Sequence, residues 1–146
     1  MKRQTWPRDG VRLKSGMYSA VTHDIRVAVE PAYSPERSKP EEGLHFWLYT
    51  IEIANLSRRT VRLTHRHWII TDASGRRQEV RGVGVVGEQP TLAPGQSFRY
   101  TSGCPLGEPS GMMEGAYRLI ADDGDVFEVA VPAFSLDIPA APRVLN

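Results

Sequence analysis

Cysteine is almost absent from this sequence: Cys104 is the single one among 146 residues. No internal disulfide can form, and a reducing compartment, the cytoplasm, is the setting a lone thiol implies. Long hydrophobic runs are missing too. None approaches the ~18 residues of a membrane span, so membrane insertion is not expected. The opening stretch MKRQTWPRDGVRLKSG is basic but has no apolar segment behind it, which does not read as a secretory signal. Charge of neither sign is in excess. Eighteen Lys and Arg stand against 17 Asp and Glu, a net charge of +1, which gives no pull toward nucleic acid or anionic lipid. There is no internal repeat, no low-complexity tract and no segment with the pattern of a helix.

What remains is the composition of an ordinary globular protein, 40% hydrophobic and 24% charged, in a length suited to one domain with its own core. Residues 1–16 are expected to be a poorly ordered extension, and residues 17–146 a single domain. Ser19 to Glu30 alternates with period two, placing Val21, His23, Ile25, Val27 and Val29 on one face of one strand. Pro31 to Gly43, with three prolines, reads as a surface loop. His45 to Leu56 is a strand with Trp47, Tyr49, Ile51 and Ile53 inward. Val61 to Thr71 is another, but Val61 and Leu63 sit on the opposite parity to Trp68 and Ile70. Changing faces takes an extra residue, so a β-bulge is predicted near Thr64–His67. Asp72–Gly75 is a hairpin turn, followed by a strand from Glu79 to Val86. Ser97 to Ser102 carries Phe98 and Tyr100 inward, and Gly103 to Gly115 reads as loop. Ala116–Ala121 and Val126–Val131 form a hairpin across Asp122–Asp125, with a phase break at Pro132. About seven or eight short strands without a helix indicate an all-β sandwich of two antiparallel sheets.

Several motifs carry a possible chemistry. Gly82-Val83-Gly84-Val85-Val86-Gly87 matches GxGxxG, but a dinucleotide site needs a helix after the glycines. Pro90 and Pro94 block one. The glycines instead suit a bulged backbone that another chain or an anion can approach closely. His65 and His67, at i and i+2, share a strand face, and with His23 and His45 added a transition-metal site is conceivable; two imidazoles alone lack the third protein ligand of a catalytic zinc site. Cys104, placed in a loop, would need a base such as His67 beside it to be a nucleophile; nothing specific supports that pairing, and it reads as an inert thiol. Asp122, Asp123 and Asp125 around Gly124 lack EF-hand spacing and suit a plain turn. Arg58, Arg59, Arg62 and Arg66 form one basic group and Arg76, Arg77 and Arg81 a second. Together they could bind an anion or an acidic partner, although solvated strand faces and turns are the simpler account of both.

The central run resembles the ApaG family. The residues that carry the resemblance are Arg66-His67-Trp68-Ile69-Ile70-Thr71-Asp72, Gly75, the stretch Glu79 to Gly87, Gln89-Pro90 and Pro94-Gly95. They continue through Phe98, Tyr100-Thr101-Ser102-Gly103, Pro109, Gly111, Met113, Gly115, Tyr117, Phe127, Val129, Pro132 and Phe134. The match spans roughly residues 17–146. It implies an immunoglobulin-like or fibronectin-type-III-like sandwich and a bacterial cytosolic protein linked genetically to cobalt resistance and magnesium efflux. A similar domain occurs in eukaryotic F-box proteins and in a DNA-polymerase-interacting protein, which implies a module for protein–protein contact.

The reading taken forward is a non-enzymatic binding module with a protein partner, no cofactor, no metal and a capacity to self-associate through edge strands. The alternative is a protein that binds a divalent cation or a phosphate-containing anion. The candidate binding residues are Arg66, His67, Gly82, Gly84 and Gly87, with none assigned to catalysis.

Overall fold

The computed structural model describes residues 12–14 and 17–139. Among them ten strands run in chain order: β1 Arg12–Lys14, β2 Met17–Thr22, β3 Ile25–Tyr33, β4 His45–Asn55, β5 Val61–Asp72, β6 Arg77–Val83, β7 Thr91–Leu92, β8 Ser97–Leu106, β9 Gly111–Ala121 and β10 Val126–Leu136. One short 3-10 turn, Pro40–Glu42, interrupts the β3–β4 connection, and no described helix is long and apolar enough to cross a membrane. The strands form two antiparallel sheets, ordered β1-β2-β3-β4-β8 and β10-β9-β5-β6, with β7 beside β5. This is the expected immunoglobulin-like β-sandwich. Part of the expected extension joins it, because Arg12 and Lys14 pair with Tyr18 and Met17. Residues 1–11, 15–16 and 140–146 lie outside the described residues.

The core follows from period-two patterning. Along β4 every odd residue from His45 to Asn55 is buried, because alternate side chains point to the same face. Ile25, Val27 and Val29 of β3 are fully buried beside them. From the second sheet come Val61, Leu63, Trp68 and Ile70 of β5, Tyr117 and Leu119 of β9, and Val129, Phe134 and Leu136 of β10. Trp68 meets Tyr49, Tyr117 and Phe134 edge-on, at ring separations of 5.4, 6.2 and 6.1 Å. That geometry suits the aromatic quadrupole.

Two bulges carry the phase breaks. Thr64 is the extra residue between Leu63, opposite Leu119, and His65, opposite Arg118. A second shift between Val131 and Phe134 falls at Pro132.

Three expectations need correction. Ser19–Glu30 is a hairpin of β2 and β3 rather than one strand. His23 and Asp24 form its two-residue turn at φ 50° and 60°, a region that His and Asp tolerate better than most residues. Period two carries across such a turn unchanged, which hides it in the sequence.

The Pro31–Gly43 loop is shorter than expected, since β3 continues to Tyr33. Pro31 pairs with Tyr49 beyond the last β2 partner, so its missing N–H breaks no ladder on the β2 side.

The Gly103–Gly115 loop shrinks to residues 107–110. Pro105 is tolerated within β8 because that strand has β4 on one side and an open edge on the other. Cys104 consequently lies on a strand, paired with Trp47, and is buried.

Candidate functional site

The two sheets part along one side of the sandwich, where β8 edges the first sheet and β6 edges the second. Between them is a cleft of about 380 Å³, open to solvent. Tyr49 of β4 and Tyr100, Ser102 and Cys104 of β8 form one wall. Arg66, Trp68 and Ile70 of β5 with Gln78 and Val80 of β6 form the other, and Val85, Val86 and Gly87 close one end.

The glycine segment makes this end. β6 stops at Val83, and Gly84 takes φ 66°. Val85 and Glu88 then exchange two backbone hydrogen bonds of 2.8 and 2.9 Å around Val86 and Gly87. With φ of 44° and 80° at these two residues, the turn is type I′. No helix follows, so the phosphate-loop match has no structural counterpart. The bulge anchors the segment: the N–H of Gly84 donates to the carbonyl of Thr64 at 2.8 Å.

Val86 is in an unfavourable position twice over. It is β-branched, yet sits at positive φ, and it is 52% exposed at the cleft rim. A branched side chain is a genuine outlier there, whereas Asn or Gly would be relaxed. Strain of this kind concentrates where a backbone serves binding.

Arg66 shares the inward parity of Trp68 and Ile70. Its Nη1 donates to the carbonyls of Val83 and Gly84, at 3.0 and 2.9 Å, so the guanidinium is tied to the glycine segment. Gly82, its partner across the ladder, is bare where the guanidinium passes: an ideal Cβ there would stand 2.6 Å from Arg66 Cζ. Arg66 and Gly87 thus line one end of the cleft, with Gly82 and Gly84 against the Arg66 guanidinium.

His67 is not part of the cleft lining, but it borders a second, shallower hollow together with Arg66 and Gly82. Adjacent strand residues point to opposite faces, which puts His67 on the outer surface of the second sheet with His65. Both line this hollow of about 140 Å³, with Arg66, Gly82, Arg81, Arg118 and Glu128. His67 Nε2 lies 3.9 Å from Glu79, and His65 Nδ1 meets Thr64 Oγ1 at 2.9 Å. Among the described residues no three His, Cys, Asp or Glu side chains come together as a metal site.

The remaining motifs have structural occupations. Arg59 bridges Asp123 and Asp125 at 3.1 and 2.9 Å and lies over the Phe127 ring, which accounts for the aspartate turn. Burial raises the Cys104 thiol to about 11, leaving it protonated near neutrality and a poor nucleophile. Burial likewise pushes the Tyr100 and Tyr117 hydroxyls well above the ordinary tyrosine range. These two hydroxyls hydrogen-bond to each other beneath the cleft. Burial also raises Tyr49, opposed by its hydrogen bond with Ser102.

The β8 wall is what motif reading misses. Tyr100, Ser102 and Cys104 share one parity, and extending the strand past Gly103 would have aligned them.

An ApaG domain model matches residues 35–121. A protein named ApaG from Beijerinckia indica is 58% identical over 130 residues, covering 89% of this chain and all of that protein. One of the same name from Xanthobacter autotrophicus is 55% identical over the same shares. Among solved structures, a Bordetella pertussis protein named as ApaA superposes with a TM-score of 0.78 at 47% identity, covering 81% of this chain and 96% of that one.

Proposed function

The chain belongs to the ApaG domain family, and from that premise we propose that it is a non-enzymatic binding module whose protein partner docks along the cleft between β6 and β8. The observation that carries this reading is Val86. An exposed, branched, apolar side chain held at positive φ lowers stability without covering any core, and contact with a partner gives it a use. The lining supports the non-enzymatic part, since it joins one guanidinium to aromatic and aliphatic groups with no nucleophile–base pair. The edges of β6 and β8 offer unpaired backbone for strand addition, and the same edges would serve self-association. Work in the cytoplasm, and the link to cobalt resistance and magnesium efflux that the family resemblance implies, belong to this proposal.

Crosslinking and capture from the native cell test it, with wild type beside Val86→Asn. That substitution suits the turn and removes the apolar contact. Loss of a specific partner with an unchanged fold supports the module. Identical capture by both proteins refutes docking at this rim.

A second reading, binding of a phosphate-containing anion, is favoured by Arg66, which has no carboxylate partner among the described residues. Calorimetry with a nucleoside triphosphate, cobalt and magnesium separates the two. Saturable micromolar heat from any of them would replace the protein-binding reading.

A further inference from the structure

We propose that the cleft takes a flat apolar or aromatic group carrying one carboxylate, presented by the protein partner. This rests on the reading of the chain as a protein-binding module and names the chemistry the partner must bring.

Charge is the first argument. Arg66 is the one ionised side chain in the cleft lining, and no acidic residue faces it there. A guanidinium in a partly desolvated cleft without a counter-charge favours an anion. Its Nη1 is committed to the Val83 and Gly84 carbonyls, which fixes the plane of the group. A fixed fork suits a carboxylate, which accepts parallel N–H bonds. One positive charge balances one negative charge. A phosphate dianion would need a second cation, and the lining has none.

Shape and polarity are the second. Tyr49, Trp68 and Tyr100 supply ring surface, and Val80 and Val86 the apolar approach. A volume of about 380 Å³ falls within the ~300–1,000 Å³ of ordinary ligand sites. The hydroxyls near the floor are neutral, as any tyrosine is near neutral pH, and burial moves Tyr49 and Tyr100 further from ionisation. They add hydrogen bonds without repelling an anion.

The test uses N-acetylphenylalanine as the probe and N-acetylphenylalaninamide as its uncharged twin, titrated into the full chain by NMR. A fragment of this size should bind with Kd on the order of 1 mM. Shifts should appear at the amides of Gly84, Gly87 and Ser102 and at the Trp68 indole. The amide twin should bind about tenfold more weakly, the difference between charged and neutral hydrogen bonding. Arg66→Gln should remove that preference. Because Arg66 also holds the glycine segment, Ser102→Asp serves as a second variant: it places a carboxylate on the opposite wall and should reverse the preference, so that the amide binds more tightly than the acid.

Equal binding of the two probes, or shifts outside the cleft, overturns the proposal. In the capture experiment, excess N-acetylphenylalanine should compete with the partner. Fragment binding without competition would assign this chemistry to a free small molecule and overturn the partner as its source. Capture that depends on Val86 but ignores the fragment would leave the module standing and remove this inference alone.

Discussion

The guanidinium of Arg66 occupies the space that a side chain at Gly82 would fill, and its Nη1 reaches past that glycine to the next two carbonyls, Val83 and Gly84. Arginine and glycine are therefore one device. A double-mutant cycle exposes it. Arg66→Ala should lower stability by about 1–2 kcal/mol through the lost carbonyl bonds. Gly82→Ala should be destabilising in the wild-type background and close to neutral once Arg66 is gone. Additive effects in chemical denaturation would show that the two residues act separately.

The other glycines of the motif should respond differently. An alanine Cβ at Gly84 would stand 2.3 Å from the Glu88 carbonyl oxygen, and φ there is 66°. Gly87 has φ 80° but open space around it. Gly87→Ala should lose about 1 kcal/mol, the penalty of positive φ alone. Gly84→Ala should lose more than twice that. Urea midpoints for the pair check the ranking.

Val86→Asn should raise stability by about 1 kcal/mol, since asparagine relaxes a type I′ turn that valine strains. A melting temperature that falls instead would mean that Val86 packs usefully in the free protein.

Trp68 is 4% exposed and contacts three aromatic rings across the sheets. Trp68→Ala should cost about 3–5 kcal/mol by calorimetric or denaturant unfolding. A loss under ~1 kcal/mol would place the indole outside the core.

Stability should fall at alkaline pH. Tyr100 and Tyr117 have folded-state pKa values raised above the ordinary 10.0 by burial. Below that value both hydroxyls are protonated in the folded and unfolded chains alike, so their contribution is fully present. As pH rises past about 10 the unfolded chain releases protons that the native one keeps, and stability declines. Tyr100→Phe should flatten that decline in melting temperature measured between neutral pH and pH ~11, at some loss of stability throughout from the orphaned Tyr117 hydroxyl.

The β-sandwich was legible in the sequence because strand patterning is local. Alternation along His45–Leu56 named Trp47, Tyr49, Ile51 and Ile53 as core, and all four are buried. The mismatched parity of Leu63 and Trp68 called for a bulge near Thr64–His67, since a face change has no other cheap solution, and it falls at Thr64. Proline after the glycines excluded a phosphate-binding helix for the same local reason. Pairing partners are not local, and only the tertiary structure decided them. Whether a proline ends a strand depends on which side of it has a neighbour, so Pro105 looked like loop and proved to be edge. His67 and Arg66 were grouped by adjacency in the chain, but the pleat sends them to opposite faces of one sheet. The cleft was invisible for a related reason. Its walls are β8 and β5–β6, far apart in sequence and in different sheets, and they face each other only because the sandwich is left open along that side.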